Sequence, residues 1–70
     1  MMDIRWKQKR HEKGYVYHEM YDMWDQVAGL VVPDGKQYLG NVRGRSAFKR
    51  KTVKSAKSDV EYIYEKLGVA

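Results

Sequence analysis

Cysteine is absent from these 70 residues. Disulfides, thiolate metal ligands and thiol nucleophiles are thereby excluded, and the chain suits a reducing compartment. Leucine is scarce, and only Leu30 and Leu39 precede the last predicted element. Proline occurs once, at Pro33. No apolar run approaches the roughly 18 residues that a membrane span needs. The opening MMDIRWKQKRHEKG carries charges where a secretory signal has an apolar stretch. The expectation is a soluble cytoplasmic protein, without a membrane partner, in the host cell cytoplasm if it is phage-encoded.

The most telling shortage is of acidic residues in the second half. From Lys36 to Lys57 there is no Asp or Glu, while Lys36, Arg43, Arg45, Lys49, Arg50, Lys51, Lys54 and Lys57 are all basic. The preceding stretch, Glu19 to Gly35, reverses this, with Glu19, Asp22, Asp25 and Asp34 and no Lys or Arg. A surface that needs charge only for solubility mixes the signs. Segregated charge attracts polyanions at the cost of self-repulsion. The net charge is +5, and the N-terminal cations Arg5, Lys7, Lys9, Arg10 and Lys13 form a second basic block. Whether the two blocks meet depends on the fold.

Aromatic residues are abundant: six Tyr, two Trp and one Phe. In a chain this short they replace the missing leucines as core material, with base stacking as the rival use.

Val53, Ala56, Val60, Ile63 and Leu67 recur at spacings of three and four and predict a helix over 53–67. Thr52 is positioned to cap it. Ser58 with Glu61 offers a later start, and Gly68 a left-handed closure. Upstream, Val27–Val32 and Tyr38–Val42 have strand composition about a turn at Pro33-Asp34-Gly35. A three-residue loop there sets Leu30 opposite Tyr38 and Asp25 opposite Arg43. One apolar face then carries Trp24, Ala28, Leu30, Val32, Tyr38 and Val42, leaving Val31 on the other face. A two-residue loop exchanges the faces. Gly40 suggests a bulge or a close approach of the helix, and Ala47–Lys51 a third strand. The N-terminal third reads either as a hairpin around His11-Glu12-Lys13-Gly14 or as a basic arm followed by a short helix from Glu19.

Catalysis finds little support. His11 and His18 are each followed by Glu, and adjacent residues point apart on a strand or a helix, so they form no metal pair by spacing. No nucleophile elbow or phosphate loop is visible. Asp22, Asp25 and Asp34 read as a solvated face or as repulsion of misplaced nucleic acid. The expectation is no enzyme, no metal and no cofactor.

Lys54 and Lys57 fall in the first turns of the helix, where cations oppose its dipole but suit a bound phosphate. Arg43-Gly44-Arg45 resembles the centre of an AT-hook, with Ser46 where that motif has proline, and implies a mobile cationic loop able to enter a minor groove. The helix from Lys54 through Gly68 is similar to the last helix of double-stranded-RNA-binding domains, whose first helix has no counterpart here. The wider layout is a Trp24-led strand, a Gly-containing strand, a basic strand ending at Phe48-Lys49, and a helix opened by Thr52. Over residues 24–67 it resembles the small sheet-plus-helix DNA-binding domains of the AP2 and integrase arm-binding types. That resemblance implies a sheet in the major groove and base or backbone contacts at Gln37, Asn41, Arg43, Arg45, Lys49 and Lys51.

The sequence thus predicts an α+β fold, a small antiparallel β-sheet of three or four strands packed by one C-terminal α-helix. Residues 1–70 form a single small domain, with 24–67 as its core and 1–14 as a basic arm or first hairpin. The expected function is non-enzymatic binding of nucleic acid, DNA ahead of RNA, through segment 36–57. Arg50, Lys54 and Lys57 join the six residues above as contacts, in the manner of a phage or mobile-element accessory protein. The alternative is a small phage-type inhibitor or adaptor on an acidic surface of a host protein, anchored by Trp6, Tyr15, Tyr17 and Tyr21.

Overall fold

The structure is a computed structural model that describes residues 4–66. Five antiparallel strands, β1 Arg5–Arg10, β2 Val16–Tyr21, β3 Val27–Asp34, β4 Gln37–Val42 and β5 Arg45–Arg50, lie side by side in chain order. Helix α1, Val53–Lys66, follows and packs against β3, β4 and β5. The three or four strands expected become five because the N-terminal third forms a hairpin. Gly14 supplies its left-handed corner at φ 101°, and Tyr17, Met20 and Tyr21 supply strand-forming bulk. Residues 19–27 are strand and turn, and the core reaches back to Met20, which is fully buried.

The register differs from the one expected. Asp34 pairs with Gln37 and Leu30 with Asn41, so the turn is the two-residue Gly35-Lys36. Gly35 at φ 64° makes this tight turn available, and its twist matches that of the flanking strands. Pro33 becomes a strand residue opposite Tyr38. The odd displacement exchanges the two faces of β3 relative to β4, whose Tyr38 and Val42 stay on the helix side as expected. Val31 enters the core with Met20, Val42, Ala56, Val60 and Tyr64. Leu30 and Val32 turn to the face that no helix covers. Trp24 leaves the sheet altogether for the β2–β3 turn, where it is 63% exposed.

Thr52 caps α1, its hydroxyl accepting the Ser55 N–H at 3.1 Å. The expected extension to Leu67 and the Gly68 closure lie outside the described residues. Beneath the helix sits Gly29, paired with Met20 on one side and Val42 on the other. A Cβ there would come within 2.7 Å of Val60 Cγ1. Gly29 is therefore a close approach between sheet and helix, and the β4–β5 pairing shifts register near Gly40. Complete burial of Met20, Val31, Val42 and Val60 contributes about 1.5–3 kcal/mol each. Both outer strands are rich in Lys and Arg, which discourages edge-to-edge association.

Candidate nucleic-acid interface

A meander alternates its turns between two ends. The β1–β2 turn, the β3–β4 turn and the passage from β5 into α1 therefore share one end. That end gathers Lys9, Arg10, Lys13, Lys36, Lys49, Arg50, Lys51 and Lys54, with Glu12, Asp34 and Asp59 as the nearby acids in sequence. The N-terminal and central basic blocks join there. The opposite end holds the β2–β3 turn, with Asp22 and Asp25, and the β4–β5 turn at Arg43-Gly44.

The residues singled out from sequence divide accordingly. Gln37, Lys49, Arg50, Lys51 and Lys54 lie at the shared basic end, and Lys57 follows one helical turn on. Asn41, Arg43 and Arg45 stand at the far end of β4 and β5, about 13–17 Å away at roughly 3.3 Å per residue. By pairing, Leu39 faces Lys49 and Leu30 faces Asn41. Gln37, Asn41 and Lys49 thus share the bare face of the sheet. Arg50 lies opposite Tyr38 and Arg45 opposite Val42, on the helix side.

Two of these cations have acidic partners. Lys49 Nζ lies 2.9 Å from Asp34, and the Arg50 guanidinium meets Asp59 at 2.5 and 3.3 Å. Among the described residues, Lys36, Arg43, Arg45, Lys51, Lys54 and Lys57 have no carboxylate within ion-pair distance. Arg43 lies instead 5.6 Å above the Tyr64 ring.

The mobile loop implied by Arg43-Gly44-Arg45 is a tight turn. Arg43 and Gly44 both take positive φ, 49° and 84°, as the two central residues of a type I′ hairpin do. Asn41 Oδ1 accepts the Gly44 N–H at 3.0 Å, which engages the carbonyl oxygen of the amide expected to read bases.

The bare face carries Leu30, Val32 and Leu39 at its centre. Toward β1, the Tyr21 hydroxyl donates to Glu19 at 2.6 Å, Lys9 lies 3.4 Å from Glu19, and Lys7 lies 4.9 Å from the Tyr21 ring. The hydrogen bond to Glu19 is the main cause that raises the pKa values of both Lys9 and Tyr21. Lys7 and Lys9 were not among the residues singled out for contact, although the alternation along β1 could have placed them on one face.

On the helix side an open cleft of about 280 Å³ separates α1 from β1, lined by Trp6, Lys54, Lys57, Ser58 and Glu61. The Trp6 indole N–H donates to Glu61 at 2.7 Å, and Lys57 Nζ lies 5.1 Å from the indole ring. Burial first, and then the charge of Lys57, hold the His18 imidazole below its ordinary pKa. Ser58 and Glu61, read as a second capping box, lie mid-helix and line this cleft.

Among the described residues, no three His, Asp or Glu side chains converge as metal ligands do. No described helix is long and apolar enough to cross a membrane. Comparison with protein-family models, with curated proteins and with solved structures gives no match.

Proposed function

We propose that this chain is a non-enzymatic nucleic-acid-binding protein that holds the phosphate backbone, of duplex DNA ahead of RNA, with its basic end. The observation that carries this reading is the union of two basic blocks, distant in sequence, at one end of the sheet. Lys36, Lys51 and Lys54 supply free charges. Lys49 exchanges the exposed Asp34 carboxylate for a phosphate at small cost, because such pairs are worth only about 0–1 kcal/mol, while Arg50 is held more firmly by both oxygens of the half-buried Asp59. The bare face of β4 and β5, at one edge of the five-stranded sheet, is the surface offered to a groove. It carries Gln37 and Asn41, with Arg43 and Arg45 at its far end. An accessory role in a phage or mobile element is consistent with this chemistry.

If five or six phosphates are neutralised, log K falls with log salt at a slope near −5, at about 0.9 per phosphate. Fluorescence anisotropy on duplex DNA, single strands and RNA at several salt concentrations measures it. A flat dependence rejects the mechanism.

One observation favours the adaptor alternative. Met23 and Trp24, 62% and 63% exposed, project from a turn fixed by Asp22, whose Oδ1 accepts N–H groups of Trp24 at 2.9 Å and Gln26 at 3.0 Å. A rigid exposed Trp is the kind of anchor that dominates protein interfaces. A protein partner that still binds after nuclease treatment, and is released by Trp24→Ala, would select that reading.

A further inference from the structure

We propose that the cleft between α1 and β1 binds one unstacked nucleotide, with its base against Trp6, its phosphate on Lys54 and Lys57, and Glu61 accepting from an exocyclic amino group. The inference rests on the nucleic-acid reading and deepens it. It adds a second contact, on the helix side, for a strand end or a base drawn out of its stack.

The cleft arises because α1 lies over β3, β4 and β5 and leaves the same face of β1 and β2 without a helix above it. Lys54, Lys57, Ser58 and Glu61 follow helical spacing and form a polar stripe beside the apolar one that enters the core. This stripe lines the open flank of the helix, and the Trp6 side chain reaches it from the outermost strand. Its hydrogen bond to Glu61 at 2.7 Å fixes the plane of the indole, so stacking on it costs little further ordering.

Lys57, 5.1 Å from the ring, covers the aromatic surface with a flexible cation that an incoming base can displace toward its own phosphate. The volume of about 280 Å³ falls just below the ~300–1,000 Å³ typical of ligand pockets, which leaves room for one nucleotide at most. Glu61 opposes a bare anion in the same space. Its carboxylate can instead accept from an exocyclic amine, as acidic side chains do from cytosine N4. Thymine has no such donor. The site therefore favours cytosine over thymine, whereas a plain phosphate site would not distinguish them.

The test uses the Trp24→Phe protein, in which Trp6 is the remaining tryptophan of the two and Trp24 lies outside the cleft. Short oligodeoxycytidylate, short oligothymidylate, a blunt duplex and inorganic phosphate are titrated at low salt while Trp6 emission is followed. Oligodeoxycytidylate is expected to quench Trp6 and to bind at least fivefold tighter than oligothymidylate. Glu61→Gln, with an unchanged circular dichroism spectrum, should narrow that gap, and Lys57→Gln should weaken both. Binding without any change in Trp6 emission overturns the cleft proposal and leaves the basic-end reading standing. So does equal affinity for the two oligonucleotides. An emission change reproduced in full by inorganic phosphate reduces the cleft to an anion site and also overturns the proposal. Failure of every nucleic acid to bind overturns both readings together.

Discussion

Replacing Gly29 with alanine tests how closely α1 rests on the sheet. The added methyl would lie 2.7 Å from Val60 Cγ1, 3.1 Å from the Asn41 carbonyl oxygen and 3.3 Å from Met20 Cε. Ordinary carbon contacts sit near 3.5–4.0 Å, so Val60 must retreat by about 1 Å. It has no easy retreat. Val60 is fully buried, its branched side chain has one favoured rotamer in a helix, and the Asn41 oxygen belongs to a paired strand. The helix itself must lift, loosening Ala56 and Tyr64 with it. Overpacking of this kind costs about 1–3 kcal/mol. A core this small supplies only ~3–5 kcal/mol of net stability, so much of the fold's margin disappears. At roughly 4–8 °C per kcal/mol for a domain of this size, a cost near 2 kcal/mol lowers Tm by about 8–16 °C. Urea and thermal unfolding measure the single variant. Combining it with Val60→Ala should recover part of the loss, with a coupling of about 0.5–3 kcal/mol. Unchanged stability in Gly29→Ala, or strict additivity in the pair, would refute the close contact.

Other expectations concern the turn, the half-buried histidine and the cations. Asp22→Ala strands the Trp24 and Gln26 N–H groups that Asp22 now accepts and should cost about 1–3 kcal/mol, read by urea unfolding. Because the His18 imidazole is held below its ordinary 6.5, the unfolded chain takes up that proton first. Its contribution to stability is therefore complete above about 6.5 and is lost as the pH falls through the folded value. His18→Gln should flatten the dependence of the urea midpoint on pH. Lys51→Ala with Lys54→Ala should reduce the salt slope of DNA binding by about 2, at roughly 0.9 per phosphate contact, and weaken all DNA sequences alike.

How far the sequence foretells this architecture differs from element to element. The helix was legible because its stripe, Val53 to Ile63, and its Thr52 cap are local signals that tertiary contacts do not contradict. The β3–β4 hairpin was legible as a hairpin but not in register. Pro33 and Gly35 both punctuate the chain, and the choice between their turns is made by what each brings beneath the helix. Placing Gly29 opposite Val42 gives the helix room to approach; the alternative, with Leu30 opposite Tyr38, sets Leu30 and Val32 on the helix side. Trp24 was misassigned because an aromatic at strand spacing looks the same whether it enters a core or projects from a turn. The decisive feature is Asp22, whose carboxylate closes that turn through nitrogens two and four residues onward. The cation pattern was legible as charge, yet its division between two ends follows from strand order alone. The cleft depends on Trp6 and Glu61, which are 55 residues apart, and no local signal links them.

The alternation of turns has a consequence for approach as well as for contact. Lysines and arginines crowd one pole, while at the other Asp22 and Asp25 offset part of the charge of Arg5, Arg43 and Arg45, so positive charge is concentrated toward one end of the strands. In the field of a long anionic polymer it would rotate before touching, arriving pole-first. Dilute salt should then accelerate encounter far more than it slows departure.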